Sequence, residues 1–296
     1  MVKGGVPHRR SVVAAMVVVF SLAFAITATA RADAYIYWAN LGGFGEGQIG
    51  RAQLDGDHVD RKFIRGAIGP SAITVDNRHV YWINADGGSI GRAKVNGTKV
   101  DQNFIRGVGF AYDLDIAGGR IYWTRGQTTS TDASIARASL NGSDVERNFI
   151  QFDDPARFST PAELQVQGGY IYWANAYKTS SIGRARIDGS EVDQTFIRGG
   201  LRNPFGLAVD DTHIYWTNRG TRSISSAKLN GGNVVIDLIS GVGRVSTLAI
   251  GGPFLYWPGG HGSVVRDRLK GTGIGIKVII GRGAPAYSLA VDDRGP

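Results

Sequence analysis

A Tyr-Trp pair occurs six times along this 296-residue chain, and these pairs contain all of its tryptophan. Successive tryptophans are 44, 41, 50, 43 and 41 residues apart. They are Trp38, Trp82, Trp123, Trp173, Trp216 and Trp257. A period of about 40–45 residues is typical of propellers and of some solenoids, and the pattern inside each period distinguishes the two.

Each period contains four short apolar segments, well illustrated between residues 206 and 241. These segments are GLAVD, HIYWTN, SISSAKLNG and VVIDLISG. Such lengths, rich in β-branched and aromatic residues and separated by turns, predict four strands. Asp-Gly or Asn-Gly follows the third strand in the first five periods, which predicts a tight hairpin with positive φ at both central residues. The fold class is therefore all-β: a six-bladed β-propeller of four-stranded antiparallel blades.

The two ends of the repeat predict how the ring closes. The first period begins at Tyr35 with a second strand, whereas AYSLAVDD (286–293) is a first strand with no successor. We expect this C-terminal strand to join the N-terminal blade as its inner strand. Such closure removes an open sheet edge.

Residues 1–34 do not share the repeat. Three basic residues among the first ten precede an uncharged run over 11–30, and small residues follow, which is the pattern of a secretory signal peptide. Cleavage after Ala30 and cleavage after Ala34 fit equally well. An uncleaved membrane anchor is the alternative, because about 20 apolar residues can span a bilayer. We expect a secreted, extracellular or cell-surface protein whose propeller occupies 35–296.

Composition limits the possible partners. The formal charge of +8 falls to +5 without the first 34 residues, which carry four basic residues and one acidic residue, and there is no dense Lys/Arg run. Nucleic-acid binding is therefore not expected. We expect a monomer with no membrane span once the signal is removed. The chain has no cysteine, and an exported chain without disulfides suggests a bacterial secreted protein.

The Tyr-Trp repeats resemble the YWTD, or LDL-receptor class B, repeats, which form six-bladed propellers. The resemblance covers about residues 35–293. It implies the fold but not receptor function, because cysteine-rich modules are absent and the family's Asp is replaced. At that position stand Asn40, Asn84, Arg125, Asn175, Asn218 and Gly259.

Two recurring features are interpreted as structural. The Tyr-Trp pairs lie in second strands, where large aromatic rings fill the space between radiating blades. Arginines recur in the third strand, and we expect them to pack on aromatic rings or to pair with acids. These are Arg51, Arg92, Arg137, Arg184 and Arg266. A further set ends the fourth strand and is expected to be exposed, forming a basic rim: Arg65, Arg106 and Arg198.

Symmetry breaks at one position of the first strand. Four blades have a small or uncharged residue there, whereas two adjacent blades have Asp113 and Glu163, and Asp115 follows Asp113 on its strand. First strands begin at the top mouth of the central channel, so these carboxylates are expected near the axis. The same blades carry long top-face insertions over 124–134 and 151–163.

Three interpretations of these carboxylates remain open. Asp113 and Glu163 can hold Ca²⁺ or another hard cation on the axis, since such ions prefer oxygen ligands. They can form a metal-free ligand pocket. They can also pair with arginines, for which the candidates are Arg157, Arg202 and Arg244.

The leading functional hypothesis is a secreted, non-enzymatic binding protein that contacts a protein, glycan or small molecule with its top face. The candidate residues are Asp113, Asp115, Glu163, Tyr112, Asn203, Phe205, Arg244 and Tyr287. The alternative, by resemblance to propeller lactonases, is a metal-dependent hydrolase or lyase. The sequence places only His261 on a top loop and shows no Ser-His-Asp arrangement, which favours binding over catalysis.

Overall fold

The computed structural model confirms a propeller of six four-stranded antiparallel blades. Each blade runs outward from the axis as a simple meander, and neighbouring blades contact one another through their inner strands. The structure describes residues 34–41, 47–126, 133–152, 161–176, 179–243, 245–271, 276–279 and 286–292.

The strands are numbered in chain order, and each blade is described from its inner to its outer strand. Blade 1 contains β24 (Ser288–Asp292), β1 (Tyr35–Asn40), β2 (Gly47–Gln53) and β3 (Asp60–Ala67). Blade 2 contains β4 (Pro70–Val75), β5 (His79–Asn84), β6 (Ser89–Lys94) and β7 (Asp101–Arg106). Blade 3 contains β8 (Leu114–Ala117), β9 (Arg120–Arg125), β10 (Ser134–Ser139) and β11 (Glu146–Gln151).

The second half of the ring repeats this arrangement. Blade 4 contains β12 (Pro161–Gln167), β13 (Tyr170–Asn175), β14 (Ser181–Arg186) and β15 (Asp193–Ile197). Blade 5 contains β16 (Pro204–Val209), β17 (His213–Asn218), β18 (Ser223–Lys228) and β19 (Val235–Ser240). Blade 6 contains β20 (Ala249–Gly251), β21 (Phe254–Pro258), β22 (Val264–Arg268) and β23 (Ile276–Ile279).

The ring closes as the sequence predicts. Strand β24 pairs antiparallel with β1, so that Leu289 lies opposite Trp38. The pairing extends beyond the strand, because the Tyr287 amide donates to the Ala39 carbonyl at 2.9 Å. Strands β1 and β24 of blade 1 are thus more than 240 positions apart in the chain, and the inner edge of β1 is paired instead of open.

All six tryptophans are buried in the second strands. Each tryptophan pairs with a cross-strand residue of the third strand, and this residue is small in five blades. The six cross-strand residues are Gly50, Gly91, Ala136, Gly183, Ser225 and Val265. A Cβ atom at Gly183 would stand 2.2 Å from the Trp173 ring, so close packing of the indole requires glycine there.

The third-strand arginines connect neighbouring blades at the bottom of the ring. Arg51 Nη1 donates to the Val95 carbonyl at 3.0 Å in the next blade, and its guanidinium lies 4.0 Å from the Phe63 ring centroid. Equivalent arginine-to-carbonyl bonds follow at three further junctions. These are Arg92 to Leu140, Arg184 to Leu229 and Arg266 to Leu54. In blade 3 the Arg137 side chain instead pairs with Glu146 in its own blade.

The turns between third and fourth strands differ from the predicted two-residue hairpin. In blade 2 Gly97 has a φ of 82°, but the second positive φ belongs to Lys99, not to Asn96. The Asn96 side chain instead accepts the Thr98 amide at 3.1 Å, which makes a wider Asx turn. The prediction of positive φ at both Asn and Gly was therefore wrong, although it placed the turn correctly.

Helical structure in the described ranges is limited to one 3₁₀ turn, Gly260–Gly262. Within those ranges, we find no helix of the length and apolarity that crossing a membrane requires. The predicted signal segment, residues 1–34, lies outside the described residues except for Ala34.

Candidate functional site

A cavity of about 350 Å³ opens at the top end of the axis, and we call it the mouth. It lies where the first strands begin. Its main lining side chains are Phe110, Tyr112, Phe205, Arg219 and Tyr287, with Glu163 also in the lining. A second cavity of about 450 Å³ adjoins it over blades 5 and 6, and the two share Arg219, Ser246 and Tyr287.

Aromatic rings dominate the mouth. Phe110 and Tyr112 meet edge-to-face with centroids 5.1 Å apart, and Tyr112 meets Phe205 in the same way at 6.3 Å. Phe205 is buried, whereas Phe110 and Tyr287 are 44% and 46% exposed. The result is an aromatic surface fixed by internal contacts that still presents two rings to solvent.

Asp113 joins blade 3 to blade 4 beneath this surface. Its side chain is buried, and Oδ2 accepts the Leu164 amide of the next blade at 2.9 Å. The Asp113 amide donates to Thr124 Oγ1 at 3.1 Å, which fixes the start of β8 against β9. The carboxyl is therefore part of the contact between two inner strands.

Glu163 also joins neighbouring blades, and its longer side chain reaches two of them. Its Oε2 accepts the Leu207 amide of blade 5 at 2.5 Å. The carboxyl also accepts hydrogen bonds from the Leu248 amide and the Thr247 side chain in blade 6. Gly206 occupies the equivalent position in blade 5, where a Cβ atom would lie 3.0 Å from the Thr247 backbone. The longer side chain of Glu163 therefore reaches past blade 5, which has glycine at the equivalent position, to blade 6.

Burial controls the ionisation of both groups. Burial, and secondarily the Glu163 charge, raises the pKa of Asp113 well above its ordinary range. Burial likewise raises the pKa of Glu163 from 4.5 to about 8, against the opposing effect of its hydrogen bonds and of Arg219. The Glu163 charge therefore adds to burial in disfavouring an ionised Asp113.

Asp115 forms a second layer lower in the channel. Its Oδ2 accepts the Val166 amide of blade 4 at 2.7 Å, and Oδ1 accepts the Thr74 hydroxyl of blade 2 at 3.2 Å. It borders a polar cavity of about 260 Å³ lined by the inner strands, below the mouth and apart from it. Asp115 was predicted beside Asp113, but its side chain belongs to this lower cavity.

The structure brings together most of the predicted top-face residues. Tyr112, Phe205, Tyr287 and Glu163 line the mouth, and Asp113 lies directly beside them. Asn203 does not line it; its carbonyl accepts the Arg219 amide at 3.1 Å and so positions that arginine. Residue 244 lies outside the described residues, as do 127–132 and 153–160 of the two insertions.

Sequence reasoning missed Arg219. Its guanidinium lies 3.4 Å from the Phe205 ring centroid, at the border between the two top cavities. The signal was present three residues after each tryptophan, where only blade 5 has a charged side chain. The six residues are Leu41, Ala85, Gly126, Ala176, Arg219 and Gly260. Arg219 is also the arginine that opposes the raised pKa of Glu163, a role the sequence interpretation gave to Arg157, Arg202 or Arg244.

The oxygen atoms of Asp113 and Glu163 are partly engaged within the protein. One oxygen of each accepts a backbone amide of the next blade, which uses part of the acceptor capacity of each carboxyl. Among the residues that the structure describes, no three His, Cys, Asp or Glu side chains form a group able to hold a metal ion.

These features define the class of molecule: a six-bladed β-propeller built on Tyr-Trp repeats, with an aromatic opening on its top face. The resemblance seen in the sequence is confirmed by the family model of the low-density lipoprotein receptor repeat class B, which matches residues 169–210. Low-density lipoprotein receptor-related protein 5 from Homo sapiens is 31% identical over 97 residues. That match covers 32% of this chain and 6% of the relative.

Solved structures share the fold. The propeller in a crystal structure of a nidogen/laminin complex superposes with a TM-score of 0.72, at 18% identity over 87% of this chain and 98% of that chain. A gluconolactonase from Xanthomonas campestris gives a TM-score of 0.58, at 17% identity over 73% and 76% of the two chains. Identities this low show a common architecture and nothing about activity.

Proposed function

We propose that this chain is a secreted binding protein that holds part of a partner protein in the mouth. The observation that carries the proposal is the pair of exposed rings, Phe110 and Tyr287, beside the internally packed Tyr112 and Phe205. Rigid aromatic side chains give large contact areas at small cost in conformational entropy, and they are enriched where proteins bind most strongly. Among the described residues, Phe110 and Tyr287 are the aromatic side chains in the exposed class, which favours this opening as the contact surface.

Similar proteins support a protein partner over a glycan or a small molecule. One structural neighbour is a propeller solved in a nidogen/laminin complex, and the human relative is a receptor-related protein. Receptor repeats of this type are typically extracellular, which agrees with the signal-peptide pattern of residues 1–34. Secretion and the monomeric state belong to the same proposal.

The hydrolase alternative has weaker support. It rests on the fold shared with the gluconolactonase, whereas the axial carboxyls of this chain accept backbone amides from neighbouring blades. Thermal unfolding of the purified protein with and without a chelator tests it. We expect the same melting temperature in both, and a lower value with chelator would support an axial metal.

The experiment is affinity capture from the producing cell's extracellular fraction with the purified propeller as bait. We expect the double variant Phe110→Ala/Tyr287→Ala to lose the captured partner, because it removes both exposed rings. The matched control is Val100→Ala/Val192→Ala, which truncates two residues that are each 44% exposed in turns between third and fourth strands. A partner retained by the mouth variant, at unchanged melting temperature, would contradict the proposal.

A further inference from the structure

The lower cavity, of about 260 Å³, occupies the bottom half of the central channel and is open to solvent. Residues of five inner strands line it, from β24, β4, β8, β12 and β20. Among the described residues, none lines both this cavity and the mouth. A ligand bound in the lower cavity is therefore independent of a partner held at the top face.

Backbone groups make the wall of the lower cavity polar, although most of its lining residues are apolar. Val166 donates its amide to Asp115 of the preceding blade, and so away from its neighbouring strand β13. In an antiparallel pair, a residue that exchanges no hydrogen bonds with the residue opposite turns both its N–H and its C=O away from that strand. The same register position lines the cavity in four other blades, which gives a layer of amide and carbonyl groups facing the channel. The five residues are Val75, Ile116, Val166, Ile250 and Val291.

One charge stands beside this layer. Asp115 is the one charged side chain among the described residues that line the lower cavity. Its Oδ2 accepts the Val166 amide at 2.7 Å and its Oδ1 accepts the Thr74 hydroxyl at 3.2 Å, so two neighbouring blades fix its orientation. A single negative charge in a partly enclosed space favours a cationic ligand.

The bottom end of the channel carries charges of both signs, and none of the described ones lines the lower cavity. They are the acids Asp76, Asp210, Asp211 and Asp292 and the bases Arg78 and Arg120. Asp76 and Asp210 each accept two backbone amides of their own turn. The charge that a ligand meets inside the cavity is therefore that of Asp115.

The size of the lower cavity favours an organic cation over a bare metal ion. Its 260 Å³ correspond to about eight waters at about 30 Å³ each, so groups on opposite walls are too far apart to contact one small ion together. In the described part of the chain, no three His, Cys, Asp or Glu side chains form a group able to hold a metal ion.

We propose that the lower cavity binds a small polar amine. Its ammonium group donates to Asp115 and to carbonyls of the channel-facing layer, and its remaining polar groups bond to that layer and to the Gln165 amide, which also lines the cavity. An ammonium group has three donors and no acceptor, which matches a carboxylate flanked by carbonyls.

Three probes with the same three-carbon skeleton test the charge of the ligand: 2-amino-1,3-propanediol, glycerol and glycerate. At pH 7 they are a cation, a neutral molecule and an anion. Isothermal titration calorimetry of the purified protein in sodium phosphate, which contains no competing amine, measures each Kd. We expect the amine to bind about tenfold or more tightly than glycerol, since hydrogen bonds between charged groups are the stronger ones. We expect glycerate to bind weakest.

Two variants assign the effect to the lower cavity. Asp115→Asn keeps the shape of the side chain and removes its charge, so we expect it to weaken the amine about tenfold or more and to leave glycerol nearly unchanged. Gln165→Lys adds a positive charge to the cavity and should weaken the amine at least as much. Gln165 makes no side-chain hydrogen bond to another described residue, so this variant tests the site even if Asp115→Asn fails to fold.

The matched control is Asp188→Asn. This exposed carboxyl in a bottom turn also accepts a backbone amide, from Ser190, and its replacement should change neither Kd. Melting temperatures show which variants are folded.

Several outcomes would overturn the inference. Equal Kd values for the amine and glycerol, no heat of binding from the amine, or an amine Kd unchanged in the folded cavity variants would each do so. Loss of amine binding in Phe110→Ala/Tyr287→Ala would place the cation on the aromatic rings of the mouth instead. Potassium or calcium chloride that displaces the amine at concentrations below the amine's own Kd would overturn it in favour of an inorganic cation.

Discussion

Replacing Glu163 by glutamine should reduce the fall in folding stability between about pH 4.5 and 8. Glutamine has the shape of the protonated acid and keeps an oxygen that can accept the Leu207 amide. It cannot ionise inside the ring. The comparison therefore isolates the cost of placing a negative charge at this buried position.

The magnitude follows from the difference between folded and unfolded states. Burial raises the pKa of Glu163 from 4.5 to about 8, and one pKa unit corresponds to about 1.36 kcal/mol. Between these values the folded protein holds a proton that the unfolded chain has released, so stability falls as pH rises. The loss that Glu163 contributes is about 5 kcal/mol, large beside the 5–15 kcal/mol by which domains of this kind are typically stable.

Urea unfolding followed by tryptophan fluorescence at pH 5, 6, 7 and 8 measures this loss, because all six indoles are buried in the folded state. We expect a falling free energy of unfolding for the wild type, a shallower fall for Glu163→Gln, and a flat profile for Asp113→Asn/Glu163→Gln. Glu191→Gln, at an exposed bottom turn, is the control and should follow the wild type. A wild-type stability that rises from pH 5 to 8, or a Glu163→Gln slope equal to that of the wild type, would refute the reasoning.

Three further predictions concern the ring. Gly183→Ala should lower the free energy of unfolding by about 1–3 kcal/mol, because the new Cβ would overlap the Trp173 ring. Arg266→Gln should lower it by about 1–2 kcal/mol, since it removes the donor to Leu54 across the closing junction. Deletion of residues 284–296 should abolish cooperative unfolding, because β1 loses its inner partner. Circular dichroism and urea titration measure all three.

Each of these changes has a matched control. Ala136→Gly, at the equivalent cross-strand position of blade 3, should cost less than Gly183→Ala, and an equal cost would argue against steric overlap as the cause. Arg268→Gln, at an exposed arginine of the same strand, should leave stability nearly unchanged. Deletion of 293–296 alone should preserve cooperative unfolding; if it does not, the effect of the longer deletion cannot be assigned to β24.

The fold was predictable because its signals are local and repeated. Strand patterning around Trp173 recurs at five other tryptophans, and turn residues mark where each strand ends. Closure followed from counting strands from Tyr35 to the segment at 286–293. The turn geometry was less predictable, because Asn and Gly are compatible with both a two-residue hairpin and the wider Asx turn that forms.

The site was predictable in position but not in bonding. Asp113 and Glu163 stood out by breaking the repeat, yet their partners lie 51 and 44 residues away, and only the spacing of the blades brings them within reach. Arg219 was not predicted, because the carboxylates that break the repeat lie in first strands, whereas Arg219 follows a second strand. Its stacking on Phe205 depends on how the start of β16 meets the loop after β17, which no local pattern encodes.

The bottom arginines and the top carboxyls divide the junctions of the ring between them. Among the described residues, the third-strand arginine of blade 3, Arg137, pairs within its own blade and makes no such bond to blade 4, and Ser226 stands at this position in blade 5. Asp113 spans the first of these junctions and Glu163 the second. A closed ring is expected to open first at its weakest junction. Asp113 and Glu163 therefore stabilise the two junctions at which the described third-strand arginines make no bond to the next blade.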